Sequence, residues 1–367
     1  MAGIIISWIL IGFALIRMAV SLVNVLSKLN LPKAQHSYDA LVSVLIPARN
    51  EAHNLPRLLD ALRNQDHRNL EIIVYDDHSE DETAKIVKEI GNKDARIQLM
   101  QGDRLPEGWL GKNYACHQMA SKANGDYFLF LDADVIVSKD LISKGLDFVS
   151  VEKLSLLSIF PKQQIYSIGE RLTVPLMNWI LLTLLPMVLI RKSSRPSLAA
   201  ANGQFMWFEK NCYKRHKWHE QVKDNLVEDI EIIRMMKEHN YSVCTLLGNH
   251  DISCRMYTSY KEGLNGFAKN VVEFFGGSSL MAVLFGVIFV SGVFIIPFYL
   301  EWIVFISYLI MIVLIRIFVS VASKQSVAKN LFFHIPQIVT FVVMVFKGVK
   351  VRLTGSYSWK GRKIEKQ

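Results

Sequence analysis

Long uncharged apolar stretches constrain this chain more than any other feature of its 367 residues. The longest runs from Phe274 to Leu300, and after Glu301 another runs from Trp302 to Ile315. Residues 1–16 are also uncharged, and beyond Arg17 the pattern continues to residue 27. A helix needs about 20 mostly apolar residues to cross a bilayer. Because 51% of the residues are hydrophobic and only 20% are charged, we expect part of the chain to lie in lipid.

Two stretches before residue 200 predict membrane contact of different kinds. Residues 1–28 lack the basic n-region and small-residue cleavage site of a signal peptide, so we expect a retained transmembrane anchor. Lys28 and Lys33 follow it, which places the next domain in the cytoplasm under the positive-inside rule. Residues 172–190 are apolar but interrupted by prolines, and we interpret them as interfacial helices lying on the membrane. The predicted location is the cell membrane, with several crossings.

The C-terminal apolar stretches predict a transmembrane region over residues 274–350, followed by a basic cytoplasmic tail over 351–367. If all three stretches crossed the bilayer, the tail would lie outside, against the charge rule. The stretch from Asn330 to Phe346 contains Pro336 and polar side chains. Such segments are tolerated at membrane depth where protein or water satisfies the backbone, so we expect this stretch not to cross fully.

The net charge of +9 is concentrated at the C-terminal end of the chain. From Lys324 onward, nine basic side chains accompany a single acidic one, Glu365. Anionic headgroups explain a basic segment beside apolar helices, whereas a nucleic-acid-binding protein needs a basic face on its folded domain. We therefore expect a membrane partner and no nucleic acid. The four cysteines show no CxxC spacing and predict free thiols.

Between residues 40 and about 160, short β-rich apolar runs alternate with amphipathic stretches. This pattern is typical of βαβ units and predicts an α/β fold with a parallel sheet. Asn54 and Asp81 are expected to begin helices that follow the first two strands. The predicted strands are Val42–Pro47, Leu70–Tyr75, Arg96–Met100, Asp126–Leu131 and Leu154–Phe160.

Acidic and polar residues follow three of these strands at their carboxyl ends. Residues 47–51 read Pro-Ala-Arg-Asn-Glu, Asp76 and Asp77 follow the second strand, and residues 132–134 read Asp-Ala-Asp. Ligands of open α/β sheets bind at this edge. Crowded carboxylates are tolerated chiefly where a cation balances them. The Asp-Ala-Asp segment therefore predicts a metal site.

Taken with Glu228-Asp229, these segments resemble inverting family 2 glycosyltransferases of the GT-A fold, a Rossmann-like mixed sheet that binds nucleoside-diphosphate sugars. The similarity covers roughly residues 40–270, the expected cytoplasmic catalytic domain. Residues 105–112 (Leu-Pro-Glu-Gly-Trp-Leu-Gly-Lys) and 359–362 (Trp-Lys-Gly-Arg) further resemble the membrane subgroup associated with carotenoid and hopanoid pathways.

The resemblance implies a role for each matching residue. Asp134 would be the direct ligand of Mg²⁺ or Mn²⁺, and Asp229 would be the general base that takes the acceptor's proton. Asp76 would support the site from behind. The residues expected to bind substrate are Pro47, Ala48, Glu51, Asp77, Trp109, Lys112, Asp132, Asn202, Gly203, Gln204, Glu228 and Arg255.

The chain departs from the family pattern at two positions. His78 stands where glycine is usual, and the Gln-x-x-Arg-Trp motif of processive relatives is missing around Arg255. The missing motif favours transfer of one sugar per acceptor. The apolar segments on both sides of the domain favour a membrane lipid with a hydroxyl or carboxyl group as acceptor. The resemblance implies a donor of the UDP-glucose type and an acceptor such as a carotenoid.

Three alternatives remain open. A polyprenyl-phosphate acceptor would need no strong base and should tolerate loss of Asp229. A membrane protein that binds nucleotide-sugar without turnover would need no metal. A nucleotidyltransferase would need a glycine-rich loop where this chain has residues 48–51.

Overall fold

The computed structural model describes residues 1–354, 356–359 and 362–365. It divides into two compact units. The α/β unit comprises residues 29–162 and 187–255, and the helical unit comprises residues 1–28, 163–186 and 256–367. The predicted catalytic domain of residues 40–270 therefore contributes segments to both units. Lys360 and Gly361 of the terminal motif, and residues 355, 366 and 367 of the predicted tail, lie outside the described residues.

The helices and strands are numbered in chain order. The helices are α1 (Ala2–Leu26), α2 (Leu55–Arg63), α3 (Thr83–Gly91), α4 (Gly111–Lys122), α5 (Leu141–Val151), α6 (Ile168–Thr173), α7 (Pro175–Leu184), α8 (Val188–Lys192), α9 (Lys210–His216), α10 (Trp218–Gln221), α11 (Glu228–Glu238), α12 (Tyr260–Asn270), α13 (Ser279–Tyr299), α14 (Trp302–Ala322), α15 (Val327–Phe332) and α16 (His334–Thr354). The strands are β1 (Val42–Ala48), β2 (Leu70–Asp76), β3 (Ile97–Gln101), β4 (Tyr127–Leu131), β5 (Val135–Val137), β6 (Leu156–Phe160), β7 (Lys162–Gln163), β8 (Phe205–Glu209), β9 (Val243–Leu247), β10 (Ile252–Cys254), β11 (Ser356–Trp359) and β12 (Arg362–Glu365). A short 3₁₀ helix spans Glu273–Phe275.

The α/β unit is built on a seven-stranded sheet in the order β3-β2-β1-β4-β8-β6-β9. β1 pairs in parallel with β2 and β4, which confirms the parallel arrangement expected for the first strands. β8 runs antiparallel between β4 and β6, so the complete sheet is mixed. A separate three-stranded sheet has the order β5-β10-β7, and in it β5, directly after the Asp-Ala-Asp turn, pairs antiparallel with β10. This is the α/β mixed sheet that the GT-A resemblance implies.

The strands form where the sequence is continuously apolar, because both faces of the central strands are covered. In β4, the residues from Phe128 to Leu131 are all buried. α2 covers the sheet with four leucines at helical spacing and begins after Asn54, as predicted. The expected side-chain cap is wrong, however: the Asn54 amide donates a hydrogen bond to Glu51 Oε2 at 2.7 Å instead of capping the helix.

In the helical unit, four helices are long and apolar enough to cross a membrane: α1, α13, α14 and α16 over His334–Leu353. α1 packs against α13, α14 and α7. Pro336 lies in the first turn of α16, where a missing N–H costs nothing, so the helix is continuous. α7, from the predicted interfacial segment, buries Trp179 within this unit. Whether these segments cross or lie on the bilayer stays a prediction.

Candidate active site

The loops after β1 and β2 are joined by hydrogen bonds at the carboxyl edge of the sheet. The Asp77 N–H donates to the Ala48 carbonyl at 2.8 Å, and Arg49 Nη1 donates to the Asp77 carbonyl at 2.7 Å. Asn50 and His78 both have positive φ, at 54° and 53°. Glycine takes this conformation at least cost, which explains why glycine is usual at the position of His78. The two loops hold Ala48 and Asp77 together as one surface.

Two side chains of residues 79–83 accept hydrogen bonds from the backbone of the loop after β1. The Asn50 N–H donates to Ser79 Oγ at 2.9 Å, and the Glu51 N–H donates to Thr83 Oγ1 at 2.9 Å. Asp76 Oδ1 accepts from the Ser79 N–H at 3.2 Å. This contact fits the supporting role expected for Asp76. The Ser and Thr of this segment thus fix the loop that carries Glu51.

Lys112 joins three segments that are far apart in sequence. Its Nζ lies 2.9 Å from Asp132 Oδ1 and 3.2 Å from Glu228 Oε1, and it donates to the Gly203 carbonyl at 3.2 Å. Burial alone would lower the pKa of this ammonium, but the Asp132 and Glu228 carboxylates raise it well above its usual value. Lys112 is therefore a fixed positive charge at the centre of the site.

Asp229 is held in place by the backbone at the start of α11. Its Oδ2 accepts from the Gly203 N–H and its Oδ1 from the Ile230 N–H, both at 2.8 Å. Burial, reinforced by the neighbouring Glu228 carboxylate, raises the pKa of Asp229 to about 7, although Lys112 and the two N–H groups oppose the shift. A carboxyl group with a pKa near 7 is matched to proton transfer at neutral pH.

Gly203 leaves no room for a side chain among these groups. A Cβ at this position would lie 2.9 Å from Glu228 Oε1 and 3.0 Å from Lys112 Nζ. Its backbone N–H and carbonyl contact Asp229 and Lys112 directly. The close approach of backbone to charged side chains accounts for glycine here.

Asp134 contacts Gln204, which directly precedes β8, and Cys254, the last residue of β10. Gln204 Nε2 donates to Asp134 Oδ1 at 3.3 Å and to Cys254 Sγ at 2.9 Å. Burial, together with the Asp132 and Glu51 carboxylates, raises the pKa of Asp134 to about 6. Sequence reasoning did not identify Cys254 as part of this site. Its position next to Arg255 was the available signal.

The residues present fit a divalent cation that takes its other ligands from a substrate. Among the described residues, no three His, Cys, Asp or Glu side chains form a complete metal site. Burial and then the negative charge of Asp132 nevertheless raise the pKa of Asp134, and a bound cation would relieve the repulsion between these two carboxylates. Mg²⁺ is commonly bound by one or two carboxylates plus substrate phosphates.

Three further predicted substrate residues are not members of the Lys112 ion pairs with Asp132 and Glu228. Trp109 packs edge-on against Tyr114, with ring centroids 5.4 Å apart, and against His117 of α4. Arg255 is exposed directly after β10. Asn202 supports its own turn, because its Oδ1 accepts from the Gln204 N–H at 2.9 Å. The structure therefore brings together Lys112, Asp132, Gly203, Glu228 and Asp229, and beside them Asp134 and Gln204.

Comparison with known proteins finds similarity to glycosyltransferases. Residues 43–211 match the family model "Glycosyl transferase family 2". The chain is 29% identical over 239 residues to 4,4'-diaponeurosporenoate glycosyltransferase of Staphylococcus haemolyticus, covering 63% of this chain and 60% of that protein. It is 35% identical over 94 residues to GalNAc(5)-diNAcBac-PP-undecaprenol beta-1,3-glucosyltransferase of Campylobacter jejuni, covering 25% of this chain and 29% of that protein. The alignments thus span less than two thirds of these relatives.

A solved structure shares the fold over nearly the whole chain. The mannosyltransferase PcManGT from Pyrobaculum calidifontis, in complex with GDP-Man and Mn²⁺, superposes with a TM-score of 0.59 at 15% sequence identity. The match covers 96% of this chain and 99% of that chain. The GT-A-like fold expected from the sequence is confirmed.

Proposed function

Since this chain carries a domain of glycosyl transferase family 2 over residues 43–211, we propose that it is a glycosyltransferase that moves one sugar from a nucleoside-diphosphate sugar to a membrane lipid. The observation that carries the proposal is the position of Asp229. Two backbone N–H groups fix this carboxylate beside the Lys112–Asp132 ion pair, and burial raises its pKa to about 7.

The donor would bind against the loops after β1, β2 and β4. In this arrangement Pro47, Ala48, Glu51 and Asp77 contact the nucleoside, and Lys112 compensates negative charge on the diphosphate. Asp134 and Asp132 would hold a Mg²⁺ or Mn²⁺ ion, which supplies positive charge to the departing diphosphate when bound. The contact between Lys112 and Asp132, at 2.9 Å, supports a shared diphosphate site for both residues.

The chemical step is direct displacement with inversion. The acceptor oxygen attacks the anomeric carbon, the bond from that carbon to the phosphate oxygen breaks, and the acceptor's proton passes to Asp229. A base is needed because a hydroxyl group is a weak nucleophile until its proton is removed. Gly203 and Ile230 orient the Asp229 carboxylate, so the base needs no rearrangement before it acts.

Two observations support a lipid acceptor. The part of the chain that the structure describes carries four helices long and apolar enough to cross a membrane, and the names of two relatives contain 4,4'-diaponeurosporenoate and PP-undecaprenol. A carotenoid or another hydroxyl- or carboxyl-bearing lipid is therefore the acceptor class we propose. UDP-glucose is the first donor to test, and the catalytic unit is proposed to face the cytoplasm.

The test uses the full-length protein in detergent with Mn²⁺, a bacterial lipid extract and labelled UDP-glucose, GDP-mannose or UDP-GlcNAc. The readout is label that enters the organic phase. Asp229→Asn removes the proposed base, and Asp224→Asn is the matched control because Asp224 is exposed in the same loop region. Metal-dependent lipid label that falls in Asp229→Asn and persists in Asp224→Asn would support the proposal.

The alternatives predict different results in the same assay. Lipid label that survives Asp229→Asn would indicate an acceptor that is already ionised, either a lipid carboxylate or a phosphate such as a polyprenyl phosphate. Binding of donor without label in any lipid fraction, with or without metal, would indicate a protein that does not turn the donor over.

A further inference from the structure

Two arginines lie buried in the helical unit, on helices that are long and apolar enough to cross a membrane. Arg17 of α1 and Arg316 of α14 are each 2% exposed. A guanidinium group stays charged under physiological conditions. Arginine at membrane depth is costly and usually marks a functional site or a buried counter-ion. The contacts of the two side chains therefore indicate which of these roles applies.

Both guanidinium groups stand over the same indole ring. Arg17 Cζ lies 4.6 Å and Arg316 Cζ 5.2 Å from the Trp179 ring centroid. Arg17 also lies 4.9 Å from the Phe289 ring and 5.5 Å from the Phe285 ring. Cation–π contacts attract a guanidinium group, but an aromatic ring carries no net charge that could neutralise it. The two positive charges thus share a mainly aromatic environment.

Few of the N–H donors of the two guanidinium groups form hydrogen bonds with the described residues. Arg17 Nη2 donates to Thr183 Oγ1 at 3.4 Å, longer than a normal N–H···O bond. Arg316 Nε donates to His334 Nδ1 at 2.9 Å. Each guanidinium has five N–H donors. Arg17 Nε and Arg316 Nη2 are buried with no hydrogen-bond partner.

Neither arginine has a carboxylate partner within the part of the chain that the structure describes. Arg352 of the same unit, in contrast, pairs with Glu273 at 2.7 Å. Burying an unpaired charge costs several kcal/mol, and paired burial is the usual solution. Two such charges around one tryptophan leave a requirement for an anion that this chain does not supply.

We propose that Arg17 and Arg316 form a binding site for one carboxylate or phosphate group carried by a lipid. The planar forks of two guanidinium groups suit the oxygens of either anion. Trp179, Phe285 and Phe289, which are buried, give the Arg17 guanidinium apolar surroundings. Any anion must lose its water to bind there. A lipid is favoured over a free anion because the burial of its hydrocarbon chain offsets part of that cost. The site lies within the helical unit and does not depend on the proposed transfer reaction.

The test measures thermal unfolding of the full-length protein in a neutral detergent with three probes at increasing concentration. Oleate carries a carboxylate on a hydrocarbon chain, methyl oleate carries the same chain without charge, and sodium acetate carries the charge without the chain. The variants are Arg17→Gln and Arg316→Gln, each alone and combined. Arg352→Gln is the control, since Arg352 is exposed and already paired.

We expect oleate to raise the unfolding temperature of the wild type saturably, as a ligand of the folded state does. The rise should be lost in the double variant and kept in Arg352→Gln. An equal rise with methyl oleate, or an oleate effect that persists in the double variant, would overturn the proposal. An equal rise with acetate would overturn the assignment to a lipid and indicate a site for a free anion.

Conservative variants keep the test decisive if the glutamine variants do not fold. Arg17→Lys and Arg316→Lys retain the charge but lose the planar fork. They should weaken the oleate response several-fold and leave the protein folded without lipid. An unchanged oleate response in both lysine variants would contradict bidentate binding by these arginines.

Discussion

The pKa of Asp229 is set first by burial and then by two neighbouring charges of opposite sign. Burial and Glu228 raise it to about 7, and Lys112 acts against them. Because the carboxylate is the active form, we expect the rate of transfer in the wild type to fall as pH drops through about 7. Glu228→Gln should move this fall to lower pH, and Lys112→Met should move it to higher pH. pH profiles of kcat at saturating substrate measure both shifts. Shifts in the same direction would contradict the account.

Replacing Asp134 should change the thermal stability of the protein and its Mn²⁺-dependent activity in opposite directions. Its pKa is raised to about 6 by burial and by the Asp132 and Glu51 carboxylates. Asp134→Asn removes that repulsion, so without added metal we expect the variant to unfold at the same temperature as the wild type or a higher one. Mn²⁺ titration of activity should show at least a tenfold higher half-maximal concentration, while Asp60→Asn on the exposed face of α2 should match the wild type. Unchanged Mn²⁺ dependence would exclude Asp134 as a ligand.

At the scale of the elements, helix α5 packs closely on strand β8. Gly145 of α5 permits this short distance between the helix and the strand. A Cβ at Gly145 would lie 2.8 Å from the Trp207 ring, which is buried in the sheet. We expect Gly145→Ala to lower the free energy of unfolding by about 1–3 kcal/mol, the usual cost of overpacking. Chemical denaturation measures it. Val151→Ala on the same helix is the control, because Val151 is 53% exposed and should cost little. Equal effects of the two changes would be the contrary result.

Elements with continuous burial could be predicted from the sequence, and short ones could not. β1, β2, β3, β4 and β6 form within two residues of the predicted bounds. All of them except β3, which mixes apolar and polar residues and is mostly not buried, are largely apolar runs between polar turns. β5, β7 and β10 span two or three residues, too few for a pattern to be seen. The insertion of antiparallel β8 between β4 and β6 depends on tertiary packing, and the sequence pattern alone contains no signal for it.

The residues of the candidate site could be identified from the sequence, but not most of their contacts. The strand-end rule and the family resemblance together indicated Asp132, Glu228 and Asp229. The Lys112 ion pairs and the Gln204–Cys254 contact join segments many residues apart, so no local pattern could predict them. The positive φ at His78 explains why glycine is usual at this position, and nothing in the structure explains why histidine replaces it.

At the scale of the whole molecule, the contacts of α16 bear on how the chain meets a membrane. His334, at its start, accepts from Arg316 of α14, and Arg352, near its end, pairs with Glu273 just before α13. Both contacts lie nearer to the start of α13 and the end of α14. The short connection at Glu301 joins the opposite ends of these two helices. This arrangement favours a helix that keeps both of its ends on one side of the membrane and does not cross fully.

We therefore expect the end of α16 to lie on the same side of the membrane as the α/β unit. Single cysteines at Leu353 and Glu107, both exposed, report the two sides, since the four native cysteines are buried. An impermeant maleimide added to sealed vesicles should label both sites or neither. Labelling of only one would show that α16 crosses fully and would contradict the prediction.

The most direct test of the central claim separates donor binding from transfer in Asp229→Asn. If Asp229 is the general base, the dissociation constant of the nucleotide-sugar with Mn²⁺ should change by less than a few-fold. The single-turnover rate of transfer to lipid should fall by about 10²–10⁴-fold, the usual contribution of a positioned base. An unchanged transfer rate would show that another group, or none, removes the proton. Loss of donor binding would show that Asp229 holds the substrate and does not act as the base.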